Sequence, residues 1–254
     1  MGRVSLLNFH VDSIRTDVLI DTVFERINNK QKSSIFFVNA LKAYEINKNP
    51  KILKVMNSFD FVLPDGVPVV WASKLLGRNL PERIAGIDLF QLLLKRAEKN
   101  GKTVYFLGST EKNLSLMCKN IKKEYPKLRI AGYRNGYFAE EQNVSVVEEI
   151  NNSDADILFL GFGSPKKEQW TYDNRHLLNT PVIQGVGGSF DVLAGVVSRA
   201  PKWMQISGLE WLYRVYKEPR RMFKRYLITN TYFIYLTAKH VLISKTIKTQ
   251  INYS

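Results

Sequence analysis

Phe61-Val62-Leu63-Pro64-Asp65-Gly66-Val67 is the stretch that decides how this chain is read. A short apolar run stops at Pro64, Asp65-Gly66 turns the chain, and helical spacing begins at Val67. A buried strand that gives way at once to a helix is the building unit of a parallel α/β sheet. Such sheets hold ligands beyond the carboxyl ends of their strands, and Asp65 would stand there. Read plainly, Asp-Gly after a strand is a common turn. Read for chemistry, it is a general base at the mouth of a ligand site.

The same unit recurs on both sides. Upstream, 4–9 reads as a first strand, 18–27 as a helix and 35–38 as a short buried strand. Asn39 and a helix through Tyr44 and Ile46 follow. Downstream, 67–76 is helical, and Pro68 is tolerated in its first turn. A loop over 77–86 holds Arg83, and 87–98 is a helix. Strands are expected over 104–107, 128–133, 157–160 and 182–186, with a helix over 140–150 and another opened by Pro165. The fold expected is a Rossmann-like, mainly parallel sheet with helices on both faces. Asn39, Asp65, Gly108-Ser109-Thr110, Gly161-Phe162-Gly163 and Gly187-Gly188 would then gather along one edge. Glycines there let the backbone approach a phosphate or base, and helix N-termini favour anions.

Residues 1–195 form this α/β body; from 196 to 254 the pattern changes to a helical appendage. The net charge of +14 is uneven: from Arg199 onward eleven Lys/Arg face two acids, Glu210 and Glu218. Pro201, Trp203, Trp211, Tyr213, Tyr216 and Tyr226 stand among Arg199, Arg214, Arg220, Arg221 and Arg225. Such a tail suits phosphate, in nucleic acid or in anionic lipid. Its last helix is expected over 218–247, with Phe223, Leu227, Ile234 and Val241 on one face joined by Met222, Tyr226, Phe233 and Leu236. Lys239 and Lys245 add charge. The uncharged stretch 226–238 falls short of the ~20 apolar residues that span a bilayer, and suits a helix in the interface or docked on the body.

Other signals are weaker. Gly161 to Lys166 is half of a dinucleotide fingerprint, because Lys166 stands where the third glycine belongs; that tells against a nucleotide-cofactor oxidoreductase. Asp154-Ala155-Asp156 spells a metal-binding pattern but precedes its strand, so it belongs to the opposite edge. His10, His176 and His240 are scattered, and no metal set is expected. The single Cys118 excludes an intrachain disulfide and reads as a small core residue. No long apolar run follows Met1, so no signal peptide is expected.

Together, several stretches resemble the WecG/TagA/CpsF glycosyltransferases, glycosyltransferase family 26. They are Asp65-Gly66-Val67, Glu82-Arg83-Ile84-Ala85-Gly86-Ile87-Asp88, Asn135-Gly136-Tyr137-Phe138, Gly161-Phe162-Gly163-Ser164-Pro165-Lys166-Lys167-Glu168, Gly187-Gly188-Ser189-Phe190-Asp191, and the segment from Arg199 to Arg221. They stand in family order from about 35 to 227.

The resemblance implies inverting, metal-independent transfer of an N-acetylmannosamine-type sugar from a UDP-sugar donor to a polyprenyl-diphosphate-linked sugar. The work would serve a cell-surface polymer at the cytoplasmic face of the membrane. Expected partners are the donor, the lipid-linked acceptor, an anionic membrane surface and a possible second copy, not nucleic acid. It makes Asp65 the base. Substrate contacts would fall to Asn39, Arg83, Gly108, Ser109, Gly136, Tyr137, Gly161, Gly163, Lys167 and Asp191, and to the appendage arginines Arg214, Arg221 and Arg225. Two positions depart from the family pattern. Phe37 stands where a threonine is usual, and Lys167 replaces a glutamine, exchanging a two-way amide for a donor-only cation.

Overall fold

The computed structural model describes residues 2–252, with side chains described as far as residue 244. The strand expected over 4–9 is in fact a hairpin: β1 (Gly2–Leu6) pairs antiparallel with β2 (Phe9–Ser13). Leu7 and Asn8 between them take φ of 49° and 71°. A two-residue turn that matches strand twist needs positive φ at both positions. The apolar run continues through Leu7, which packs in the core with Leu6 and Phe9, so hydrophobicity does not reveal the turn.

The main sheet contains β3 (Ser33–Val38), β4 (Phe61–Pro64), β5 (Thr103–Gly108), β6 (Arg129–Arg134), β7 (Ile157–Gly161) and β8 (Val182–Gly185). Their order is β4-β3-β8-β7-β5-β6, and every pairing is parallel. Helices α1 (Thr16–Asn28), α2 (Ala40–Lys48), α3 (Pro50–Asn57), α4 (Val67–Leu75), α5 (Gly86–Lys99), α6 (Glu111–Glu124), α7 (Asn143–Asn152), α8 (Lys166–Asn174) and α9 (Ser189–Leu193) surround it. The helix expected over 140–150 is a 3-10 turn at Glu140–Gln142 followed by α7. Successive strand residues point to opposite faces. Thus Phe37 joins the core under α1, α5 and α6, while Phe36 joins the core under α2 and α4. Both faces are covered, which is why these strands read as unbroken apolar runs.

From β5 the chain leaves outward to β6, and from β7 inward to β8. The carboxyl ends of β5 and β7 therefore flank a topological switch point, the usual place for a crevice. Asp156 lies at the opposite edge, where its carboxylate accepts from the Thr103 N–H at 2.8 Å and hydroxyl at 3.0 Å. Cys118 is buried in the core; burial first, then the charge of Glu111, pushes its thiol up to about 12.

The appendage is α10 (Lys202–Ile206), α11 (Glu210–Lys217) and α12 (Pro219–Asn252). The apolar residues expected on one face of α12 divide between two. Met222, Phe233 and Leu236 are buried, and the last two enter the same core as Phe36 and Val62. Phe223, Leu227 and Ile234 are 58–68% exposed. Neighbours such as 222 and 223 differ by about 100° around a helix, so they cannot share a narrow stripe. The Tyr44 and Tyr232 rings meet edge-on at 5.1 Å, fastening α12 to α2. No described helix is long and apolar enough to cross a membrane. The Lys245 charge lies outside the described side chains.

Candidate active site

The β4 and β3 end of the sheet edge is a charged cluster. The Asp65 N–H donates to the Val38 carbonyl at 2.9 Å, extending the β3–β4 ladder by one residue and fixing the carboxylate at the strand mouth. One Asp65 oxygen accepts from the Gly86 N–H at 3.1 Å, at the start of α5. The other lies 3.5 Å from the Asn39 amide. Asn39 also accepts from the Lys42 N–H at 3.1 Å, capping α2. A cap of this kind holds a side chain in one orientation. Gln184, buried on β8, donates to the Gly86 carbonyl at 2.8 Å and pins the same turn from below. The Asp65 carboxylate is thus half-buried and oriented by two elements, as a general base must be.

The appendage is fastened beside Asp65 through Arg83. Arg83 Nε donates to the Asp65 carbonyl at 2.6 Å, Nη1 to the Gln205 carbonyl at 3.1 Å and Nη2 to Glu210 at 2.9 Å. Arg83 was expected to meet substrate; here all three nitrogens face protein, and it clasps α10 and α11 to the body. Glu210 is the hub: its other oxygen lies 3.7 Å from Arg199 and 3.6 Å from Arg214. Arg199 also forms a two-point pair with Asp88 on α5. Burial works against the Arg199 charge, but Asp88, then Glu210 and Asp65, more than offset it, and its pKa rises. Gln205 and Glu210 are site residues the sequence reading did not single out, and Arg199 entered it only as one of the tail arginines. The signal lay in the long matching segment from Arg199, where attention fell on the arginines and aromatics as a basic surface.

The other half of the edge is lined with glycine. A Cβ on Gly108 would come within 2.6 Å of the Gly161 backbone, and one on Gly161 within 2.3 Å of the Phe190 ring. One on Gly136 would meet Phe162 at 2.7 Å and the Gly108 backbone at 2.9 Å. These three glycines let loops pack on one another, a different reason from the ligand approach expected of them. Gly163 and Gly188 differ: nothing lies within 4 Å of an added Cβ at either, so open space faces them. Asp191 accepts from the Ser109 hydroxyl and the Asn113 amide, both at 2.9 Å, and ties α9 to α6 across this half.

Lys167 stands between the halves. Its stem crosses Gly185, where an added Cβ would come within 2.9 Å of Lys167 Cδ. Its ammonium is 3.8 Å from Glu168. Glu168 is itself buried against Lys42 at 3.3 Å and has one oxygen without a hydrogen-bond partner. Phe37 and Lys167, the two departures from the family pattern, line one small recess with Gly185 and Thr171. A larger recess of about 460 Å³ lies at the opposite edge, between α3 and α8.

Three expected residues stand apart. Tyr137 is exposed, with its N–H on the Asn135 side chain. Arg221 pairs with Glu218 at 2.7 Å, and Arg225 lies 5.6 Å from the Tyr226 ring. No described contact ties them to Asp65. Part of the aromatic content of the tail also has a structural use: Trp211 and Tyr226 pack at 5.9 Å and hold α11 on α12.

Known proteins resemble this chain over most of its length. The chain matches the Glycosyl transferase WecG/TagA/CpsF family over residues 4–247. It is 36% identical over 218 residues to a protein of Bacillus spizizenii (strain ATCC 23059 / NRRL B-14472 / W23), covering 86% of this chain and 84% of that one. A protein of Bacillus subtilis (strain 168) is 37% identical over 195 residues, covering 77% and 75%. Both are named N-acetylglucosaminyldiphosphoundecaprenol N-acetyl-beta-D-mannosaminyltransferase.

Proposed function

The chain belongs to the WecG/TagA/CpsF glycosyltransferase family, and from that premise we propose that it moves N-acetylmannosamine from its UDP conjugate to a polyprenyl-diphosphate-linked N-acetylglucosamine. It is a glycosyltransferase of cell-surface polysaccharide synthesis; the donor, the mechanism and the membrane side are our reading. The observation that carries it is the Asp65 carboxylate, oriented by Asn39 and Gly86 at a strand mouth and near enough to Arg199 of the appendage to add to its charge balance.

The step is a single displacement. An acceptor hydroxyl gives its proton to Asp65 while its oxygen attacks the anomeric carbon from the face opposite the diphosphate. The bond from that carbon to the β-phosphate oxygen breaks, the configuration inverts, and UDP leaves. Charge growing on the β-phosphate is met by Arg214 and by backbone N–H groups at the open glycines Gly163 and Gly188. No metal enters this scheme. Ser109 and Asp191 line the half of the crevice left for the nucleoside. The outer face of α12, with Arg220, Arg221, Lys224 and Arg225 beside Phe223 and Leu227, lies against anionic lipid at the cytoplasmic surface.

The test is transfer of labelled N-acetylmannosamine from UDP to a prenyl-diphosphate N-acetylglucosamine, with and without a chelator. Equal transfer under both conditions, giving the β-anomer, is the expected result. Transfer lost on chelation removes the metal-free scheme, and transfer from a different UDP-sugar alone removes the donor assignment.

A further inference from the structure

Helix α4 carries a feature that neither the reaction nor the appendage uses. It starts directly after Asp65, with Gly66 as its cap. Its inward face, Val69, Val70, Ala72 and Ser73, is buried. Its outward row is apolar: Val67, then Trp71 at 55% exposure and Leu75 at 67%. Positions four apart stack along one helix face, so these three make a continuous strip about 12 Å long.

Both ends of the strip are anchored. At the Asp65 end, Gly208 leaves room for Val67: a Cβ there would come within 3.1 Å of the valine. That contact seats the turn after α10 on the head of α4. Trp203 and Ile206 of α10 are exposed as well, at 63% and 81%. At the far end, Arg78 lies close enough to α12 to add to the burial and Lys239 charge that lower the His240 pKa. The appendage therefore touches α4 at its head and passes close to its tail, and leaves Trp71 and Leu75 open between. Lys74, next to Leu75 on the helix, is exposed, while the Arg78 guanidinium donates to the Ser5 carbonyl. An exposed tryptophan with a cation one turn away suits apolar chains near charged headgroups.

We propose that the Val67–Trp71–Leu75 row is the track along which the prenyl chain of the acceptor lies. This rests on the proposed function, in which the acceptor is a sugar diphosphate on a polyisoprenoid. The position of α4 favours that occupant over a general surface contact: the helix starts directly after the Asp65 turn, and Trp71 and Leu75 open just beyond the Gly208 turn seated on Val67. A sugar hydroxyl at Asp65 leaves the diphosphate and then the chain to run outward, and the apolar row starts at the next residue but one. Binding the chain there also fixes which way the acceptor sugar enters.

The experiment compares two acceptors, one with a long prenyl chain and one with a short, water-soluble alkyl chain, in wild type and in Trp71→Ser/Leu75→Ser. Both side chains are exposed, and stabilisation by UDP reports that the fold and donor site persist. The expected result is a fall of about tenfold in the long-chain to short-chain ratio of kcat/KM, the size of losing one well-buried apolar contact. An unchanged ratio overturns the track. So does a loss confined to vesicle binding, which gives the strip to the bilayer, or a change of oligomeric state, which gives it to a second copy. Wild type that uses neither acceptor refutes the proposed function and the track with it; wild type that uses both, beside an unaffected variant, refutes the track alone.

Discussion

The two halves of the sheet's carboxyl edge are built on opposite principles. Over β4 and β3 the edge is crowded with charge: Asp65, Arg83, Asp88, Arg199 and Glu210, with the Asn39 amide among them, hold one another through hydrogen bonds and ion pairs. Over β7, β5 and β6 it is made of glycines in mutual contact, with Ser109 and Asp191 as the polar pair. In the proposed function the first half orients the reacting group and the second offers backbone to the donor. Half-buried charges need partners, and the appendage supplies them, so the chemical half is the one that depends on the C-terminal helices.

This contrast can be broken at chosen points. The largest effect on folding is expected from Glu210→Leu, which takes the carboxylate partner from Arg83 and leaves Arg199 with Asp88 alone. Leaving the largely buried Arg83 cation uncompensated costs about 3 kcal/mol, read as a lower Tm together with loss of transfer. If Glu210→Leu folds as stably as wild type and turns over normally, the clasp has no function.

Gly108→Ala comes next. It adds a Cβ against the Gly161 backbone at a φ of 140°, and overpacking with backbone strain should cost about 2 kcal/mol in denaturant unfolding. Full stability would mean the glycine half is not closely packed. Asn39→Ala should cost about 1 kcal/mol as a lost helix cap. Asn39→Asp keeps the cap but sets a second anion beside Asp65, so kcat should still fall. Recovery of kcat in Asn39→Asp would reduce Asn39 to a capping role. The smallest change in stability, within about 0.5 kcal/mol, is expected for Gly163→Ala, since nothing lies near its added Cβ. Its stabilisation by UDP should nonetheless weaken, and an undiminished shift would leave that space without a ligand.

The same contrast shows what sequence can carry. The parallel sheet was legible because strands covered on both faces give continuous apolar runs, as in Ile35-Phe36-Phe37-Val38. Asp65, Asn39 and the glycine loops were legible because they follow those runs directly. The hairpin turn at Leu7-Asn8 was not, since Leu7 is as buried as the strand residues around it. Helix α3 goes beyond the sequence expectations, although Asn49 and Pro50 give it an ordinary start signal. The roles of Arg83 and Glu210 were hidden for a different reason. They arise from contacts between residues 127 positions apart, which no local spacing encodes. The packing use of Gly108, Gly136 and Gly161 is hidden likewise, because a glycine that admits another loop and one that admits a ligand look the same in sequence.

The central claim is that Asp65 takes the acceptor's proton and does not hold the donor. It is tested most directly by measuring UDP affinity and sugar transfer in Asp65→Asn, which keeps the shape and the Gly86 contact but removes the base. The account predicts a loss of transfer of at least about a hundredfold with UDP affinity within about twofold of wild type. Transfer near the wild-type rate, or UDP affinity lost from a folded protein, would contradict it.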